Sequence, residues 1–419
     1  MKILILIEKA SLGGHQLSAL TTGKELQNRG HKVSFAGGKG TLTDKIKKWF
    51  PFYEIPFYFY HGPRETYFTW KSLITLRKLA KLTQEKTFDL IHAFDSRSYI
   101  VASILSIIRK IPITCTICGG IAPYYNIPHS AKLIVFSEEQ KRKLINIFGW
   151  KGKNIEVIKS RLDMEQFKNI SDTEVFNLCQ KYNINPSARN IMMITTFLGP
   201  KIEAIKHVLR AMQIVLPQFS DVNLVMIGGR GGFFKEAQKN GERINQSCGR
   251  KAIIFTGPVI NAHRLLPASF IVIGIGRSAF EGMAYQKPTL IVGEKGFAGT
   301  VNQTNINEIS FYNFSGRNNK KPVSSEILAQ EIIKLLTNKQ YYESVRYFGK
   351  EFLKKEIDIK AGISKIENIY KININYIKNN TSKDRMFRIF NMTKVLTPIF
   401  IDNYYNQLKL SLLKLFSHS

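Results

Sequence analysis

"SFIVIGIGRSAFEGMAYQKPTLIVG", residues 269–293, is the stretch on which the reading of this chain turns. An apolar run ends in Gly274-Ile-Gly276, a short segment with helical spacing follows, and Pro288 opens a second apolar run. Continuous apolar runs joined by helices are the mark of a parallel sheet covered on both faces, whereas an exposed sheet alternates polar and apolar residues. Within the helical segment two local readings stay open. Ser278-Ala-Phe-Glu281 fits a capping box, in which the serine accepts from the third helical N–H and the glutamate reaches back to the cap. On that reading Glu281 only starts a helix whose Phe280, Met283 and Ala284 face the core. On the other, Arg277 and Glu281 hold a ligand. Gly282 in mid-helix costs about 1 kcal/mol relative to alanine, which points to close packing or ligand approach at that position.

The same pattern repeats outward in both directions. Toward the N-terminus stand "KILILI", a helical stretch from 15 to 28 closed by Gly30, "KVSFAG", "FDLIHAF" (88–94), "IPITCTICGG" (111–120), "KLIVFS" (132–137) and "IEVIKS" (155–160). A polar stretch over 164–190 interrupts the pattern, which restarts with "IMMITTF", "VNLVMIGG", "KAIIFTG", "SFIVIGIG" and "PTLIVG". The expectation is two tandem doubly wound, Rossmann-like α/β domains, 1–165 and 166–372, followed by a basic helical extension over 373–419. In that extension Ile401, Tyr405, Leu408, Leu412 and Leu415 recur on one helix face. Docking onto the protein's own domains and docking onto a membrane or partner both account for it.

With 419 residues the chain is long enough for two cores. Hydrophobic residues at 44% and charged residues at 22% fit a folded chain. The formal charge of +30 is unusual. It favours polyanionic partners, although codon usage rich in Lys, Ile and Asn would raise lysine without functional demand. The basic residues are dispersed and no nucleic-acid-binding signature accompanies them, so no nucleic-acid partner is expected. Four cysteines are too few for a disulfide framework, and Cys115-x-x-Cys118 reads as structural. The N-terminus lacks the pattern of a signal peptide, and "YIVASILSII" (99–108) is about half a membrane span.

Parallel sheets bind ligands at the carboxyl ends of their strands, where helix N-termini present N–H groups to anions. Glycine pairs stand at four such ends: Gly13-Gly14, Gly119-Gly120, Gly228-Gly-Arg-Gly-Gly232 and Gly274-Ile-Gly276. His92 and Asp95 lie at another predicted strand end and could meet an acceptor, with satisfied loop hydrogen bonding as the alternative.

These residues carry a resemblance. The tandem domains and "GIGRSAFEGMAYQKPTLIVGEKGFAGTV" are similar to family 4 glycosyltransferases of the GT-B fold, whose donor signature runs Glu, seven residues, Glu. "SLGGHQLSALTTGKELQNRGHKV", "FDLIHAF", "IEVIKSRLDMEQF" and "FTGPV" resemble other segments of that family, over roughly residues 1–370. The resemblance implies two domains facing across a cleft. It also implies Glu281 on the ribose of a nucleotide-sugar, Lys201 on its diphosphate, Val259 against the base and Gly14 beneath the diphosphate. Gly229, Arg230, Gly274, Gly276, Arg277 and Ser278 complete the expected donor side; the charge of a departing diphosphate makes Arg230 and Arg277 candidate cations for it, with solvated surface arginines as the alternative. Gly13, His15, Gly119 and Gly120 form the acceptor side. Three family positions are altered: the first glutamate falls at Ile273, an arginine at Thr196 and a histidine at Cys118.

The implied activity is retaining transfer of a sugar, from a UDP-sugar above all, to a polysaccharide or lipid-linked glycan. No metal or cofactor is expected, and the place is the cytoplasm or the inner membrane face. A sugar-nucleotide epimerase or hydrolase, and a non-catalytic binding protein, are the alternatives. "EEQKRKLINIFGWKGK" (138–153) sets Lys141, Arg142 and Lys143 beside Leu144, Ile145, Phe148 and Trp150, as an interfacial helix would. An ordinary amphipathic helix packed on its sheet explains it equally.

Overall fold

The computed structural model describes residues 1–61, 66–68, 71–119, 127–129, 131–168, 170–199, 201–229, 231–293, 296–317, 323–379, 382 and 384–393. Contacts divide the chain into two units, Met1–Arg161 with the chain from Gly362 onward, and Leu162–Ala361.

The first unit runs β1 (Lys2–Lys9), α1 (Gly14–Asn28), β2 (Lys32–Gly38), α2 (Thr43–Lys47), β3 (Phe52–Glu54), a hairpin β4 (Phe59–His61) and β5 (Thr66–Phe68), α3 (Ser72–Glu85), β6 (Leu90–Ala93), α4 (Ser96–Arg109), β7 (Ile113–Ile117), β8 (Leu133–Val135), α5 (Glu138–Phe148) and β9 (Ile155–Val157). Its sheet has the order β3-β2-β1-β6-β7-β8-β9, with every pairing parallel. Ile3 to Ile7 are fully buried, as a central strand covered on both faces requires.

The second unit contains α6 (Asp172–Lys181), β10 (Arg189–Ile194), α7 (Lys201–Val215), β11 (Val222–Ile227), α8 (Phe234–Ser247), β12 (Ile253–Gly257), β13 (Ser269–Gly274), α9 (Arg277–Ala284), β14 (Thr289–Val292), β15 (Phe297–Thr300), α10 (Ile306–Phe311), α11 (Ser325–Thr337) and α12 (Lys339–Phe352). Its strand order is β12-β11-β10-β13-β14-β15, parallel except for β15. In each sheet the chain first moves outward from its first strand and then returns to the other side of it. That reversal, at β1/β6 and at β10/β13, is the switch point at which doubly wound sheets leave a crevice for ligands.

Gly282 shows how tightly α9 lies on this sheet. A methyl group there would stand 2.8 Å from the Cβ of Val272 on β13 and 2.8 Å from Oγ1 of Thr289 on β14. Close approach, and not helix propensity, explains the glycine.

The expected boundaries, 165 and 372, differ from those observed, 161 and 361. The reason is α13 (Ile359–Lys378), which begins beside Leu162, whose carbonyl accepts from the Ile359 N–H at 2.7 Å, and then returns to the first unit. There Glu367 pairs with Arg29 at 3.0 Å and His31 at 2.8 Å. Asn373 accepts from the Lys132 N–H at 3.0 Å and donates to the Thr114 hydroxyl. Residues 164–190, polar in sequence, include α6, capped by Ser171. Of α5, Leu144 faces the first unit's core, with Ile145 and Phe148 packed against it, and Trp150 beyond the helix end is buried there too. The packing of α5 is thus that of an amphipathic helix on its own sheet. Residues 396–416 lie outside the described residues.

Candidate functional site

At the first switch point, β1 leads through Gly13 into α1. Gly13 is extended and caps the helix without a side-chain acceptor, and Gly14 is exposed with open space where a Cβ would stand. The first N–H groups of a four-turn helix thus lack a side-chain cap, the arrangement that favours an anion. Beneath them Gln16 is buried. Its amide donates to the Lys9 carbonyl and the Ser11 hydroxyl, both at 3.1 Å, while Oε1 has no partner among the described residues. His15 lies within electrostatic reach of Asp95, Glu8 and Arg97. Burial holds its imidazole below the ordinary value against the pull of the two carboxylates.

Asp95 is held by hydrogen bonds, the alternative its position in the sequence left open. One carboxylate oxygen accepts from the Ser98 N–H at 2.7 Å, and the other accepts from the Ser98 hydroxyl at 2.8 Å and the Glu8 N–H at 3.0 Å. It caps α4 and ties that helix to the end of β1. His92 is hydrogen-bonded in the same way. It is fully buried in β6, Nδ1 lies 2.6 Å from the Tyr370 hydroxyl and Nε2 2.8 Å from the Thr116 hydroxyl. Desolvation lowers its pKa to about 3, so at neutral pH it is an uncharged strut between the sheet and α13. Gly119 adopts φ +54, and its carbonyl accepts from the Gln140 amide at 3.0 Å. Gly120 lies outside the described residues. Cys115 and Cys118 are free thiols whose pKa values burial drives upward.

At the second switch point, the residues after β10 lead into α7, where the Lys201 ammonium donates to the Thr196 hydroxyl at 3.2 Å. Gly229 backs onto Pro258, and Val259 is half-buried. Arg230 lies outside the described residues. Between β13 and α9, Gly276 is the helix cap with φ +52 and ψ −119, a conformation open to glycine and strained for other residues. The capping box is not formed. Ser278 stands two residues inside the helix, and its hydroxyl accepts from the Ile275 N–H at 3.1 Å and donates to the Ile275 carbonyl at 3.0 Å, folding the turn. No side chain caps α9.

Glu281 instead turns to Arg277, whose Nε donates to it at 2.9 Å. The pair is largely buried, with 18% and 11% of the two side chains exposed. Burial raises the glutamate's pKa, and Arg277 works against that rise. The capping reading of the opening stretch is thus corrected: a carboxylate and a guanidinium are held one turn apart at the start of α9. Ile273 is fully buried in the core, in register with Met193 and Leu290.

Two features have no single-residue signature in the sequence. The Glu8–Arg97 ion pair, 2.5 Å, joins the end of β1 to the first turn of α4 across 89 positions. Tyr285, one turn after Glu281, has a buried hydroxyl with no partner among the described residues. Only its i+4 spacing from Glu281 hints at a shared site.

Two consecutive doubly wound units, each with an open helix start at its switch point, define the GT-B class of fold. Residues 12–166, nearly the whole first unit before the chain crosses over, match the family model Glycosyltransferase Family 4. Solved structures agree on the fold. A glycosyltransferase from Rickettsia africae is 17% identical with a TM-score of 0.68, over 91% of this chain and 99% of that one. The Anabaena protein HepE in complex with UDP-glucose is 17% identical with a TM-score of 0.67, over 89% and 100%. A UDP-GlcNAc 2-epimerase from Neisseria meningitidis bound to UDP-GlcNAc is 13% identical with a TM-score of 0.53, over 91% and 100%. At such identities the likeness is one of fold. No curated protein matches the chain.

Proposed function

We propose that this protein is a glycosyltransferase that moves a sugar from a UDP-sugar to a cell-surface polysaccharide or lipid-linked glycan, with retention and without a metal ion. The observation that carries the reading is the start of α9, where an uncapped helix terminus and the Arg277–Glu281 pair stand together at a switch point. The family match over 12–166 supports it, as do the UDP-sugars bound by proteins of like fold.

In this reading Glu281 accepts hydrogen bonds from the ribose hydroxyls. The N–H groups of α9, Lys201 and Arg277 meet the diphosphate. As the bond between the sugar C1 and the phosphate oxygen breaks, negative charge grows on the leaving group, and donors already in place stabilise it. The acceptor oxygen bonds to C1 on the same face, and its proton passes to the departing phosphate. Gly14 lies beneath the diphosphate, and Gly13, His15, Gly119 and Gly120 serve the other substrate. The reaction takes place in the cytoplasm, at the inner face of the membrane when the acceptor is lipid-linked.

A second reading, a sugar-nucleotide epimerase or hydrolase, is supported by the epimerase of like fold. The buried Ile273 favours a third, a binding protein without turnover. Thermal-shift measurements against UDP-, GDP-, ADP- and CMP-sugars test the donor class. Product analysis with and without acceptor separates transfer from epimerisation and hydrolysis, and absence of any nucleotide binding favours the third.

A further inference from the structure

Residues 384–393 form a helical segment of the first unit whose polarity is inverted. Arg388 is only 2% exposed, near Tyr376 and Tyr99, while Met386, Phe387, Ile389 and Phe390 are 71%, 56%, 44% and 54% exposed. A helix that finishes its packing on its own protein points its arginine outward and its phenylalanines inward. At 100° per residue the four apolar side chains fall within an arc of about 160°, wide enough for a continuous contact face. Arg385 on the same segment is exposed, as are Lys371 and Lys378 on α13. Between 371 and 394 the sequence carries six cationic residues against one acid, Asp384.

We infer that this face is where the protein lies on a membrane containing anionic phospholipid, with Met386, Phe387, Ile389 and Phe390 in the interfacial layer and the basic residues on the headgroups. Charge complementarity selects that occupant: an exposed apolar face on a segment that also exposes Arg385, in a chain of +30, matches a negatively charged interface better than a second copy bearing the same charge. No helix among the described residues is long and apolar enough to cross a bilayer. The inference gives the proposed membrane-linked acceptor a surface, but stands on these side chains and not on the donor chemistry.

The test uses the full chain and vesicle co-sedimentation, with phosphatidylcholine alone and with equimolar phosphatidylcholine and phosphatidylglycerol. The native protein should sediment with the anionic vesicles and much less with the neutral ones, and added salt should weaken the binding. Phe387→Ser with Phe390→Ser should weaken partitioning at least about tenfold, roughly 1.4 kcal/mol, leaving thermal unfolding and UDP binding as in the native protein. Lys378→Glu with Arg385→Glu should abolish the preference for anionic vesicles. Equal partitioning of native and Phe-substituted proteins, or no binding of the native chain, overturns the inference. Unchanged vesicle binding with a lower unfolding temperature assigns the face to the protein's own residues 394–419. Unchanged vesicle binding with a dimer turned monomer assigns it to a second copy. UDP binding measured on the same variants keeps the donor reading separate.

Discussion

Replacing His92 by glutamine separates a structural histidine from a catalytic one through the pH dependence of stability. In the folded protein burial lowers the His92 pKa to about 3, whereas an unfolded histidine titrates near 6.5. A depressed histidine pKa contributes stability that is complete above 6.5 and is lost as pH falls toward 3, because only the unfolded chain takes up the proton. Between pH 7 and pH 5 the unfolded state gains RT ln[(1 + 10^1.5)/(1 + 10^−0.5)], or about 2 kcal/mol, at this one site. Glutamine lacks that titration and spans Tyr370 and Thr116 less well, so the variant should be about 1–3 kcal/mol less stable at pH 7. By pH 5 the gap should have narrowed by about 2 kcal/mol. All three tryptophans, Trp49, Trp70 and Trp150, precede Arg161, so tryptophan fluorescence during urea unfolding follows the first unit selectively. A gap that stays constant or widens on acidification refutes the buried neutral histidine. Loss of turnover at unchanged stability would restore a catalytic role.

Asp95→Ala should destabilise the first unit by about 1–2 kcal/mol in the same assay, since the Ser98 and Glu8 N–H groups both lose their acceptor; an unchanged midpoint speaks against the cap. Gly282→Ala should lower the unfolding temperature of the second unit, because overpacking against Val272, about 1–3 kcal/mol, outweighs the gain of about 1 kcal/mol in helix propensity. A stabilised variant would show that α9 is not seated as described. Arg277→Met leaves the Glu281 carboxylate buried alone and should lose up to about 3 kcal/mol at pH 8. Since burial already raises the glutamate's folded-state pKa, its protonated form is the one the fold favours, and the loss should shrink at pH 5. Equal losses at both pH values would mean that Arg277 does not support that charge.

The parallel strands were legible because burial on both faces forces continuous apolar runs: "KILILI" and "VNLVMI" correspond to β1 and β11 nearly residue for residue. The antiparallel β15 was not, since "FAGT" carries neither length nor β-branched density. The return of α13 was hidden for a different reason. His92 meets Tyr370 across 278 positions, and nothing local to either residue records the partner. The glycines do stand at strand ends, because loop geometry is written in short-range composition. The roles were less visible. Ser278 and Glu281 have capping-box spacing, but Gly276 takes the cap two residues earlier and releases the carboxylate to Arg277. His92 and Asp95 are polar residues beside a glycine-rich crevice by sequence, and only burial and hydrogen-bond partners show them spent on holding it together.

Titration calorimetry of UDP and UDP-sugars against the native chain and Glu281→Ala bears most directly on the donor site. The account predicts that UDP-sugar binds the native protein and binds the variant at least about tenfold more weakly, some 1.4 kcal/mol, while the variant still unfolds cooperatively. No nucleotide binding by the native chain, or equal affinity in the variant with only its stability reduced, would contradict it.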